Sequence, residues 1–149
     1  MLQSIVGGDG IPSEPDWRLI YSDSTDVAVA HGEWGIVVRE MQEAGTLSVA
    51  NGHAIRRLVE FRVQYWRAGR AVAEQGAIVA AKRTKVPQIN PHWVVMRQAD
   101  DALKVLEAEL GIAPTRRGRA AKVKREKKTE RASDRYLRPI TGDGPQRER

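Results

Sequence analysis

The chain has 149 residues, 41% of them apolar and 5% aromatic, which suits one domain with a core of Val, Leu, Ile and Ala. The absence of cysteine excludes disulfide frameworks and thiolate metal sites. No run of about 18 apolar residues is present to span a membrane, and the N-terminus lacks the basic start and apolar centre of a signal peptide, so a soluble intracellular protein is expected. The net charge of +6 is unevenly placed. Residues 1–110 hold 12 Lys and Arg against 14 Asp and Glu, whereas residues 111–149 hold 13 against 5. A near-neutral body with a cationic tail points to a polyanionic partner, of which nucleic acid is the commonest.

Residues 1–22 carry Gly7, Gly8, Gly10, Pro12 and Pro15 without periodicity and read as an N-terminal arm, docked through Trp17, Leu19 and Ile20. No Lys-Ser/Thr follows the glycines, so they do not make a phosphate-cradling loop. A first helix is expected from Thr25 to Ala44, capped by Ser24 or Thr25 and stopped by Gly45. Val27, Ala30, Trp34, Val37, Met41 and Ala44 repeat at spacings of three and four, the seam of a helix packed on another helix. Gly32 and Gly35 weaken it by about 1 kcal/mol each and would admit a close neighbouring helix.

A second, long helix is expected from Val49 to Gln75, with two apolar stripes. Ala54, Leu58, Phe61, Tyr65, Ala68 and Val72 form one; Ile55, Val59, Val63, Trp66 and Ala73 form the other. A surface helix needs only one such face, so this helix is central to its bundle or buries a face against another subunit. Arg56, Arg57, Arg62, Arg67 and Arg70 occupy what remains, either as a solvated face with salt bridges to Glu60 and Glu74 or as a DNA contact. Beyond Gly76, Ile78-Val79 and Val86–Ile89 flank Lys82-Arg83-Thr84-Lys85, which suggests a small hairpin with a basic tip. Such a hairpin is marginal alone and needs the helices or neighbouring copies to support it.

The third helix has the clearest signals. Asn90 is a good N-cap, and Pro91 fits the first helical position. Trp93, Met96, Ala99, Leu103, Leu106 and Leu110 draw one stripe; Gly111 and Pro114 end it. From Thr115 the tail is basic with almost no apolar face, Val123 excepted, and is expected to be disordered or transiently helical, ordering only on a partner. The expected organisation is therefore an arm (1–22), a mainly α three-helix core with a hairpin insert (23–114) and a basic tail (115–149).

Nothing in this pattern supports catalysis, a metal or another cofactor. His31, His53 and His92 fall on separate helices with no ligand at helical spacing. Asp100, Asp101, Glu107 and Glu109 fit the polar side of the third helix, and no nucleophile elbow, Walker or dinucleotide motif is present.

The order of parts carries a resemblance. A first helix containing Trp34 ends in EAGTLS, a long second helix ends in AEQGAIV, and a short extended insert precedes the Asn-Pro start and the closing ELGIAPTRRGR. Together these resemble the small terminase subunits of tailed bacteriophages and prophages, in the branch whose third helix ends Leu-Gly-Leu-Thr-Pro-Ser-Ser-Arg-Ala-Arg. Ala113, Arg116 and Gly118 depart from that ending, adding charge while keeping Gly111, Pro114, Arg117 and Arg119. The similarity covers residues 17–120 and lies in the order and spacing of the parts.

The resemblance implies a non-enzymatic packaging factor of the host bacterial cytoplasm. It would be a ring-forming helical oligomer that recognises double-stranded viral DNA and recruits and regulates the large terminase subunit, with no membrane partner. Two apolar faces on the second helix suit lateral packing in a ring, and cations repeated around it would act through avidity. The DNA-binding candidates are Arg116, Arg117, Arg119, Lys122, Lys124 and Arg125 first, then Lys82, Arg83 and Lys85, then Arg56 and Arg57 among the helical arginines. Candidates for subunit contacts are Trp34, Phe61, Tyr65, Trp66 and Trp93. The alternative is a dimeric helix-turn-helix regulator using the turn at Gly45, although Val49, Ala50, Asn51, Gly52 and His53 make a poor base-reading start.

Overall fold

A computed structural model of the chain describes residues 5–6, 10–114 and 122–124. In chain order it contains β1 (Ile5–Val6), α1 (Ser24–Ala44), α2 (Gly52–Gln75), β2 (Ile78–Ala80), β3 (Pro87–Ile89), α3 (Pro91–Glu109) and β4 (Val123–Lys124). The three helices are those the periodicity predicts, and the antiparallel β2–β3 hairpin is the one suggested by the apolar stretches around the basic tip.

The central helix is α2. On one side Arg67 meets Asp26 and Arg62 meets Glu33, so α1 runs antiparallel to it. On the other, Arg62 meets Glu107 and Gly69 lies beside Met96, so α3 does the same. This accounts for the two apolar stripes over the first half of α2, where Ile55, Leu58, Val59 and Val63 are fully buried. Trp34, Val37 and Met41 close the core from α1; Leu106, Leu110 and Ile112 close it from α3 and its exit. Because α1 starts beside Arg67, the last turns of α2 and the first of α3 run on beyond it, and there Trp93 remains exposed, while Tyr65 is exposed alongside α1.

The helix ends follow local chemistry, with two corrections. Gly45 (φ 69°) and Gly111 (φ 72°) take the left-handed conformation expected of them. The cap of α1 is Asp23, whose Oδ1 accepts from the Thr25 N–H at 2.7 Å, and not Ser24 or Thr25. The second correction concerns α2. Val49–Asn51 form a 3₁₀ turn, and the α-helix begins at Gly52, where a side chain would approach Pro12 to 3.1 Å. The arm packs closely there, and Pro12 would have to give by a few tenths of an ångström to admit a side chain.

The arm is docked through Trp17, as expected, but not through Leu19, which is 86% exposed, nor chiefly through Ile20. A 3₁₀ turn over Trp17–Leu19, capped by Asp16, turns Leu19 outward, and Tyr21 stacks on Trp17 instead. Trp17 also meets Trp34 edge-on, with ring centroids 6.1 Å apart, and donates its Nε1 to Glu14 at 2.8 Å. A further difference lies at residues 122–124, for which no regular structure was expected without a partner. Here β4 pairs in parallel with β1, and the Val123 N–H donates to the Gly45 carbonyl at 2.7 Å.

Candidate nucleic-acid interface

Most arginines of α2 are committed within the chain. Arg62 reaches Glu33 on α1 at 2.7 Å and Glu107 on α3 at 3.0 Å, so one guanidinium ties all three helices. Burial works against its charge, but the hydrogen bonds to Glu107 and Glu33 outweigh it and lift its pKa above the usual arginine value. Arg67 holds the buried Asp26 carboxylate at 3.1 Å. Arg70 lies over the Trp66 ring at 4.9 Å and does not reach for Glu74. Arg56 makes the expected helical pair with Glu60 at 2.8 Å. Arg57 is exposed and forms no ion pair among the described residues.

The hairpin tip is different. The Ala81 N–H donates to the Val86 carbonyl and the Lys85 N–H to the Ala81 carbonyl, both at 2.9 Å, closing a four-residue loop. Lys82, Arg83 and Lys85 are exposed on it, and none joins an ion pair among the described residues. Lys85 holds a left-handed φ of 58°, unfavourable for any side chain larger than glycine. From Gln75 to Ala99 the sequence has no Asp or Glu, while Lys82, Arg83, Lys85 and Arg97 lie within that span. This end of the molecule is a cationic cap, and no ion pair among the described residues neutralises it.

The tail candidates leave from the other end. Lys122 is exposed, and Lys124 is placed by its backbone pairing with Val6; both follow the turn at Gly45 to which Val123 is bonded. Arg116, Arg117, Arg119 and Arg125 lie outside the described residues. The two basic regions are thus separated by the length of α2, whose 24 residues span about 36 Å at 1.5 Å per residue. Sequence order alone does not reveal that separation.

The aromatic candidates also divide. Trp34 is only 5% exposed and is used inside its own chain, whereas Phe61, Tyr65 and Trp93 are exposed and Trp66 is half-buried under Arg70. Sequence reasoning missed the clamp formed by Arg62, because its partners lie 29 and 45 residues away and carry no local signal. Among the described residues no group of three or more His, Asp or Glu is placed to hold a metal, and no helix is long and apolar enough to cross a membrane.

A family model described as phage terminase, small subunit, matches residues 30–127. The chain belongs to the phage terminase small-subunit family. No curated protein and no solved structure matches it. The family match takes in most of α1, all of α2, the hairpin, α3 and β4, and it reaches past Arg125 into the basic tail. Small terminase subunits are generally the non-catalytic, regulatory component of the packaging machinery, and a role in phage DNA packaging follows for this member of the family.

Proposed function

We propose that the chain assembles into a ring that binds double-stranded viral DNA at the start of packaging and brings it to the large terminase subunit, whose ATPase and nuclease it regulates, in the host bacterial cytoplasm. Membership of the family carries this reading. In it, residues 1–22 brace the helices, residues 23–114 form the assembling core and residues 115–149 form a DNA-binding tail.

Two physical features support it. A single chain leaves Phe61, Tyr65, Trp93 and Val94 exposed, a surface that neighbouring copies would cover. Cations that join no ion pair among the described residues stand at both ends of each copy, and repetition around a ring would turn weak phosphate contacts into useful affinity. Arg116, Arg117, Arg119, Lys122, Lys124 and Arg125 are the first contacts, Lys82, Arg83 and Lys85 the second, and Arg57 with Arg56 the third. Phe61, Tyr65, Trp66 and Trp93 are the subunit contacts; Trp34, being core, acts on assembly only through the fold.

Native mass spectrometry with negative-stain imaging tests the assembly. Closed rings well above a dimer are expected; a monomer or dimer at micromolar concentration would favour the helix-turn-helix regulator instead. Deleting residues 120–149 should abolish most duplex binding if the tail dominates, and unchanged affinity would refute that assignment.

A further inference from the structure

The β2–β3 hairpin has an unused edge. Hydrogen bonds from the Asn90 N–H to the Ala77 carbonyl and from the Ala81 N–H to the Val86 carbonyl fix which backbone groups face the partner strand. Given the register Ile78↔Ile89, Val79↔Gln88 and Ala80↔Pro87, the N–H and C=O groups of Val79 point inward, and those of Ile78 and Ala80 point outward. None of the hydrogen bonds among the described residues uses those outward groups.

The two edges are unequal. On β3 the outward position opposite Ala80 is Pro87, which has no N–H to offer and blunts that edge. On β2 the outward donors and acceptors carry neither proline nor charge. Beside them, Ile78 and its cross-strand neighbour Ile89 are each 60% exposed, an apolar pair left open among the described residues. A duplex has little use for exposed isoleucines, but a strand added at this edge would shield Ile78 from the side.

We infer that the outer edge of β2 is a docking site for an extended, acidic segment of a partner protein that adds a third strand to the hairpin. Backbone hydrogen bonds to Ile78 and Ala80 would hold it, and alternate apolar side chains would pack beside Ile78 on the face it shares with Ile89. Charge selects the occupant. Pairing β2 with β2 of a second copy would bring two tips together, each with Lys82, Arg83 and Lys85 and no acid from Gln75 to Ala99. An acidic strand gains from the same charges. The inference rests on neither ring formation nor duplex binding.

The test uses the full chain and a fluorescein-labelled nine-residue peptide of alternating valine and glutamate, followed by anisotropy. Saturable binding is expected, at least tenfold tighter than for the same peptide with lysine in place of glutamate. Ala80→Pro removes one outward N–H and spares the ladder, so it should weaken the peptide at least tenfold while circular dichroism is unchanged. Arg83→Glu with Lys85→Glu should weaken it similarly and leaves the edge intact, which keeps the test meaningful if Ala80→Pro misfolds. Absence of saturable binding, or equal binding by the glutamate and lysine peptides, overturns the proposal. A 20-base-pair duplex is the third probe: duplex binding lost in Ala80→Pro without any peptide binding would assign the edge to nucleic acid and overturn it as well.

Discussion

The side chain of Asn90 serves two helices at once. Its oxygen accepts from the His92 N–H at 2.9 Å and caps α3, while its Nδ2 donates to the Gly76 carbonyl at 2.8 Å, just past the end of α2, with the residue fully buried. Aspartate would keep the cap but lose the donor and bury a charge, so Asn90→Asp should destabilise the chain by about 2 kcal/mol, where an exposed cap would tolerate the change. Thermal unfolding at neutral pH measures it. Asp23, the exposed cap of α1, makes the complementary case. The Thr25 backbone and side chain hold its carboxylate below the usual value. Its contribution is therefore present above the unfolded pKa and disappears as pH falls through the lower folded value. Asn accepts the same bond without titrating, so Asp23→Asn should flatten the loss of stability below about pH 4, as seen in melts across an acid series.

At the scale of elements, the clamp between Arg62 and its two glutamates fixes α1 and α3 against α2. Arg62→Met would fill much of the volume but strand Glu33 and Glu107 at the helix interface, with an expected cost of about 2 kcal/mol and a Tm lower by roughly 5 °C. A Cβ on Gly32 or Gly35 of α1 would meet nothing within 4 Å among the described residues. The close neighbour expected from these glycines is not one of the chain's own helices. Each change to alanine should then raise helix stability by about 1 kcal/mol in the isolated chain; a native mass spectrum showing weaker assembly would mark that face as a contact between copies. Where the sequence was informative, it was through local rules: Asn90-Pro91, Gly45 and Gly111 each set a backbone conformation by their own chemistry. At Asp23-Ser24-Thr25-Asp26 several residues could cap, and the path of the arm decided, with Asp26 buried against Arg67 instead. Leu19 was expected to anchor the arm, but the 3₁₀ turn carries it outward and Tyr21 stacks on Trp17 in its place.

Across the whole molecule, charge is arranged by position more than by total. The candidate site was visible in the sequence as two basic regions, but their separation along α2 depends on the antiparallel pairing of three helices, which no local pattern encodes. The separation also makes their roles divisible. Replacing Lys82, Arg83 and Lys85 with alanine should reduce the slope of log affinity for duplex against log salt by at most about 2.7 per chain in contact, since each phosphate neutralised contributes about 0.9. Removal of residues 115–149 should reduce it further; a smaller effect than that of the hairpin variant would move the main contact to the hairpin end. The parallel pair of β1 with β4 bears on how any of this is measured. Both strands sit by the turn at Gly45, so a tether joined just outside either one anchors the molecule by the same foot. A sensor surface would then hold the β-hairpin up to solution while crowding Lys122 and Lys124 against the matrix. Affinities read on such a surface would favour the hairpin, whereas free solution would treat both ends alike.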